Sequence, residues 1–223
     1  MANTQLIPIG FRQTNDICLL ASYSFVLGYY KNLADEDQEE IDVHNVCNKY
    51  MQYLVQLPEF AHIRQNIEAD YNMLFNANRQ IVDVNNYEHF VSMKLHQICQ
   101  SRNIRGLDHI KAYDNYLYRR GDVIRCHNFR IDNGNVVAGT TPIPGASTII
   151  MRHLDDNENN LAMIVYLAQG NGHSVLVGKN NQNGEYFFRD PNNDNISNVC
   201  SHVNFSLYDI RTISEYVLFS SII

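Results

Sequence analysis

The sequence has no excess of positive charge: 17 Lys and Arg stand against 24 Asp and Glu, and the formal net charge over its 223 residues is −7. Proteins that follow nucleic-acid phosphates are basic, so no nucleic-acid partner is predicted. The charge-free apolar stretch 17–30 has 14 residues. That is fewer than the roughly 20 that cross a bilayer, so no membrane insertion is predicted. The N-terminus lacks a basic start followed by an apolar core, so we expect a cytoplasmic protein, or one exported without a classical signal peptide.

Metal-binding and disulfide motifs are also missing. No two of the five cysteines form a C-x-x-C pair, and H-E-x-x-H is absent. His44 with Cys47, and Cys200 with His202, have ligand-like spacings, but neither pair has a matching second pair. We therefore predict no metal and no cofactor. A chain of this size can form a hydrophobic core without disulfide bonds, which favours reduced thiols.

The character of the sequence changes along its length. Apolar spacing is helical from about residue 17 to residue 120, and short β-rich runs separated by Gly, Asn and Asp follow. Helices followed by an antiparallel sheet predict an α+β fold. We predict a single domain over 1–223, with a helical insertion or subdomain at about 32–120 and a β-rich half at about 121–223. Its oligomeric state is not fixed by these patterns.

Individual elements follow from the same periodicities and from turn residues. The first predicted helix is apolar almost all round, as expected for a buried helix, and Asp16 is its expected N-cap. Helices are predicted over 17–30, about 35–54, 61–75, 87–100, 107–119 and 147–154. Strands are predicted over 161–167, 173–177, 185–189 and 215–219, with a hairpin over 130–137 that turns at Asn133-Gly134.

Cys18 falls in the first turn of the first predicted helix. Unpaired backbone N–H groups and the helix dipole stabilise a thiolate at that position. Gln13 stands five residues upstream, where its amide could donate to an oxyanion beside the Cys18 backbone N–H. By itself this cysteine is ambiguous, because most cysteines on apolar helices are small core residues.

Two residues near the other end of the chain complete a catalytic pattern. His173 begins a predicted strand, and Asp190 closes the next one. Two strands joined by a turn can place the end of one beside the start of the other, so Asp190 can contact His173. An imidazole that takes a proton from a thiol needs a fixed tautomer, which a carboxylate on its other nitrogen provides. The three residue types on these elements are those of a cysteine nucleophile system.

The runs QTNDICLLAS (13–22) and GHSVLVG (172–178), with the pair Asp190-Pro191, resemble the papain-like cysteine peptidases. Within them the sequence is most similar to the bacteriocin-processing peptidases, which trim double-glycine leader peptides, and to their stand-alone bacterial relatives. The resemblance covers roughly 10–31 and 160–192. It implies a papain-like fold, a peptide or protein substrate, and four site residues: Cys18 as nucleophile, His173 as base, Asp190 as orienting acid and Gln13 as oxyanion donor.

Two departures from that family leave the substrate open. Leu19 follows the nucleophile where the family usually has Gly, and the papain signature C-G-S-C-W is absent. The leading hypothesis is a cysteine-dependent amide or peptide hydrolase. The alternatives are an acyltransferase, transglutaminase or deamidase on the same triad, such as a bacterial effector or toxin, and a catalytically inactive binding module.

Overall fold

The computed structural model describes residues 17–34, 41–60, 64–76, 80–121, 129–131, 143–168, 171–180, 183–192, 196–200, 205 and 213–222. The helices are α1 (Cys18–Ala34), α2 (Val43–Leu54), α3 (Arg64–Met73), α4 (Val84–Arg102), α5 (Gly106–Arg120) and α6 (Ala146–Asp156). The strands are β1 (Phe129–Arg130), β2 (Leu161–Ala168), β3 (Asn171–Lys179), β4 (Tyr186–Arg189), β5 (Ile196–Cys200) and β6 (Ile213–Ser221). A 3-10 turn covers Pro58–Phe60.

The strands form one antiparallel sheet in the order β1-β6-β2-β3-β4-β5. Every predicted helix, and each of the four strands predicted between 161 and 219, overlaps an observed element of the same type. The α+β class is therefore confirmed. β5 and the 3-10 turn are additional to the prediction.

The sheet has a core on each face. In β2, Leu161, Met163 and Val165 belong to a cluster that includes apolar residues of α1, α2, α4 and α5. Ala162 and Ile164 belong to a second cluster with α6. Alternate strand residues point to opposite faces, so one strand contributes to both clusters. The sheet consequently lies between the larger helical layer and α6.

Helix α1 is the central element of the larger layer. All of its residues from Leu20 to Tyr30 are buried, which agrees with the apolar pattern of the sequence. The Ser22 hydroxyl donates to the Ser174 carbonyl of β3 at 3.0 Å, and the Tyr23 hydroxyl donates to Asp114 of α5 at 2.6 Å. These bonds fix α1 between β3 and the helical segment, and thereby fix its N-terminus. Asp16, the predicted cap of this helix, lies outside the described residues.

The start of α2 differs from the prediction. Helix α2 was expected from about residue 35, but Ile41 and Asp42 are not helical, and Asp42 is the N-cap that accepts from the Asn45 N–H at 2.8 Å. A capping side chain of this kind starts the helix at the next residue, Val43. Residues 35–40 lie outside the described residues. The Asn133-Gly134 turn of the predicted hairpin also lies outside the described residues. Strand β1, which contains the first residue of that predicted hairpin, pairs with β6.

Gly178 of β3 is a position where the sheet tolerates no side chain. It lies opposite Phe187 of β4, and a Cβ built there would meet the Phe187 ring, with Cε1 at 2.6 Å. We expect Gly178→Ala to lower the free energy of unfolding by about 1–3 kcal/mol, because overpacking forces the ring to move. Urea denaturation measures this. Phe187→Leu in the same background should recover part of the loss, whereas an unchanged midpoint for Gly178→Ala would contradict the expectation.

Candidate active site

Three of the four residues singled out by the sequence converge at one end of α1. Cys18 is the first residue of that helix and is partly exposed. His173 lies near the start of β3, and Asp190 directly follows Arg189, the last residue of β4. Gln13, the predicted oxyanion donor, lies outside the described residues, so its position relative to Cys18 stays a prediction.

The contact between His173 and Asp190 follows from the strand register. β3 pairs with β4 so that Leu176 lies opposite Arg189. The same register continued places Asp190 beside Val175, two residues from His173, a diagonal separation that long side chains can span. The His173 Nε2 atom is 2.8 Å from Asp190 Oδ1, with the two side chains only 13% and 19% exposed. The pair is therefore partly shielded from solvent.

The Cys18 side chain also interacts with the His173 ring and raises its pKa. Because Nε2 faces Asp190, Nδ1 is the ring nitrogen left for the thiol. Burial alone would lower the pKa of His173, but the hydrogen bond to Asp190 and the interaction with Cys18, with the charges of both, outweigh it and raise the pKa to about 9. Such a shift keeps the imidazole protonated at neutral pH.

Asp190 is held in its charged form by hydrogen bonds and by the positive charge of His173. Burial raises its pKa, but the hydrogen bond from His173 and the Asn192 backbone N–H, which donates to Oδ1 at 2.8 Å, together hold the pKa below its usual value. The arrangement is a cation between a thiol and a carboxylate. A neighbouring imidazolium is one of the groups that make cysteine thiols nucleophilic in proteins.

Three further residues position this group, and the sequence analysis missed them. The Tyr166 ring of β2 meets the His173 ring edge-on at 5.5 Å. The Asn192 side-chain amide lies 3.4 Å from His173 Nε2. Arg189 is fully buried, with its guanidinium 4.4 Å from the centre of the Phe25 ring of α1. The position of Tyr166 could have been predicted from the sequence, because antiparallel pairing of the predicted strands places it opposite His173.

A pocket of about 200 Å³ opens beside the thiol. Helix α1 contributes Cys18 and Leu19, the sheet contributes Val165, Ser174 and Glu215, and the helical segment contributes residues of α4 and α5 such as Leu95, Cys99 and Gly106. A second pocket of about 410 Å³ shares Gly106 and Glu215 with it. The segment 32–120, predicted as an insertion, thus forms one wall of the space in front of Cys18.

Among the residues that the structure describes, no group of three or more His, Cys, Asp and Glu side chains is placed to hold a metal ion. His44, which has a ligand-like spacing to Cys47, has its Nε2 4.0 Å from Glu88 Oε1. His202 lies outside the described residues. None of the described helices combines the length and apolar character needed to cross a membrane.

Comparison of the chain with protein-family models, with curated proteins and with solved structures found no match.

Proposed function

We propose that this chain is a papain-like cysteine peptidase or amide hydrolase. The observation that carries the proposal is the position of His173, whose ring is hydrogen bonded to Asp190 and interacts with the Cys18 side chain. An activated cysteine nucleophile requires such a base, oriented in turn by a third group. The supporting arrangement is a buried helix that begins at the cysteine and packs on an antiparallel sheet carrying the other two residues.

The proposed reaction proceeds through an acyl-enzyme. The Cys18 thiolate attacks the amide carbonyl carbon, and the resulting oxyanion accepts hydrogen bonds from the Cys18 backbone N–H and the Gln13 side chain. As the C–N bond breaks, the His173 imidazolium gives its proton to the leaving amine. Neutral His173 then takes a proton from water, which attacks the thioester and releases the acid and the thiolate.

Asp190 acts on these reaction steps through His173. Its negative charge favours the protonated ring before attack, and its hydrogen bond to Nε2 keeps Nδ1 directed at the sulfur. Transfer of the acyl group to an amine would use the same thioester, with an amine in place of water. The two activities therefore differ only in the acceptor.

The test is labelling of the native protein with iodoacetamide, followed by peptide mass mapping. We expect Cys18 to react before Cys99, because burial, the negative charge of Glu215 and that of Asp108 raise the pKa of the Cys99 thiol to about 12. In parallel, digestion of an unfolded casein should be lost in Cys18→Ser and retained in the matched Cys99→Ser variant. Product masses with and without an added amine separate hydrolysis from acyl transfer.

Two results would count against the proposal. The first is a Cys18 thiol that reacts no faster than free N-acetylcysteine at neutral pH. The second is casein digestion that persists in Cys18→Ser, which would place the activity elsewhere or in a contaminant. A reactive Cys18 with no hydrolysis of any peptide tried, but with amine incorporation, would favour the acyltransferase.

A further inference from the structure

The pocket beside Cys18 contains a buried hydroxyl that no catalytic step uses. Ser174 directly follows His173 in β3, is fully buried, and lines the pocket. Its carbonyl accepts the hydrogen bond from Ser22, but its own Oγ has no hydrogen-bond partner among the described residues. A buried hydroxyl without a partner is destabilising, and alanine at this position would avoid the cost. The hydroxyl is therefore available to a group that enters the pocket.

A buried carboxylate lines the same pocket. Glu215 of β6 is only 7% exposed and accepts from the Leu107 backbone N–H at the start of α5 at 3.1 Å. The other charges that act on it are Arg105 and Asp108. Burial, the largest effect, and the Asp108 carboxylate raise the pKa of Glu215 more than Leu107 and Arg105 lower it, so the charged carboxylate is not fully compensated. A buried carboxylate is tolerated best when a positive partner is supplied.

The rest of the pocket is apolar and closely fitted. Leu19, Leu95 and Val165 contribute to its walls. A Cβ on Gly106 would lie 2.5 Å from Leu19 Cδ1, and one on Gly172 would lie 3.1 Å from Val165 Cγ1. The two glycines therefore let the Leu19 and Val165 side chains pack directly against the backbone at the pocket wall. Apolar walls with acceptors at buried positions suit an alkyl chain that ends in a cationic N–H donor.

We propose that this pocket binds a substrate side chain of the lysine or arginine type, with its aliphatic stem against Leu95 and Val165 and its cationic group on Glu215 and Ser174. The inference rests on the proposed function, since it makes the pocket a specificity site for the bond that Cys18 attacks. Glu215 and Ser174 are positioning residues for substrate and take no part in bond breaking. The helical segment contributes to selectivity through Leu95.

The test uses n-butylammonium as a mimic of the lysine side chain and n-butanol as its neutral counterpart. Each is added at millimolar concentration and equal ionic strength while iodoacetamide alkylates Cys18. We expect n-butylammonium to slow alkylation several-fold and n-butanol to have little effect. In Glu215→Gln, which keeps an oxygen acceptor for Leu107, this protection should largely disappear. Glu185→Gln, an equivalent change away from the pocket, should leave protection unchanged.

A second variant separates binding from folding. Ser174→Ala should keep or raise the melting temperature, because it removes an unpartnered buried hydroxyl, while protection by n-butylammonium falls. Equal protection by the amine and the alcohol, or undiminished protection in Glu215→Gln, would overturn the specificity site and leave the reactive Cys18 of the proposed function intact. A Cys18 that reacts like a free thiol without any additive would overturn both. Should Glu215→Gln fail to fold, Ser174→Ala and the comparison of amine with alcohol decide the outcome.

Discussion

Replacement of His173 by Gln is expected to slow the alkylation of Cys18 by iodoacetamide at about pH 6 by roughly 100-fold. An unassisted thiol has a pKa near 8.5, so well under about 1% of it is thiolate at that pH. The proposed mechanism requires the protonated His173 ring, whose pKa is raised to about 9, to stabilise the thiolate. Gln retains a hydrogen-bonding side chain but not the positive charge. Labelling rates at Cys18, resolved by peptide mass mapping, measure the effect.

The pH dependence supplies an internal control for this experiment. Above about pH 9.5 an unassisted thiol is itself mostly ionised, so the difference between the native protein and His173→Gln should shrink to a few-fold. His96→Gln is the matched variant, because His96 lines the pocket beside Cys18 and bonds Gln100 rather than the catalytic group. It should label at the native rate. Equal rates for the native protein and His173→Gln at about pH 6 would show that His173 does not activate the thiol.

Cys18, His173 and Asp190 could be predicted because local sequence patterns determine the elements that carry them. The apolar run after Asp16 fixes a buried helix, and Cys18 must then lie in its first turn. Strand alternation and the following turn residues place His173 and Asp190 at adjoining strand ends. Each of these inferences needs only the residues of one helix or one hairpin, which is why the observed 2.8 Å contact agrees with them.

The pocket was not predictable in the same way, because its residues come from separate elements. Glu215 reaches it because β6 pairs with β2, so that Glu215 lies opposite Val165, although β5 precedes β6 in the chain. The sequence of β6 alone does not indicate that Glu215 is buried. The sequence of β3 alone likewise gives Ser174 no role beyond that of an ordinary strand residue next to His173. Their role depends on packing of α4 and α5 against the sheet, which is long-range information. Helix α2 starts later than predicted for a local reason, the capping hydrogen bond that the Asp42 side chain accepts.

Replacement of Asp190 by Asn should move the alkaline limit of activity to lower pH by about one unit or more. The protonated His173 ring is required when the leaving amine departs, and it is present only below the pKa of about 9. Asn keeps an oxygen that can accept from Nε2 but removes the negative charge. The pKa of His173 should then fall toward its ordinary value of 6.5, and the imidazolium should be lost at lower pH. The pH profile of kcat/KM reports this limit for the free enzyme.

Protein stability gives a readout of the same pair that does not depend on activity. Because the folded-state pKa of His173 lies above 6.5, the folded form binds more protons than the unfolded form between that value and about pH 9. The contribution is complete below 6.5 and is lost as the pH rises through the folded pKa. The variants are compared in a Cys18→Ser background, because the thiol would otherwise exchange a proton of its own on folding. There the free energy of unfolding should decline with rising pH across this window, and decline less when Asp190→Asn is added. Asp155→Asn, which removes a carboxylate charge that contacts Lys179 and Tyr186 away from the site, should keep the same slope. An unchanged slope in Asp190→Asn would mean that Asp190 does not hold the proton on His173, and the orienting role would pass to another neighbour of the ring, such as Asn192.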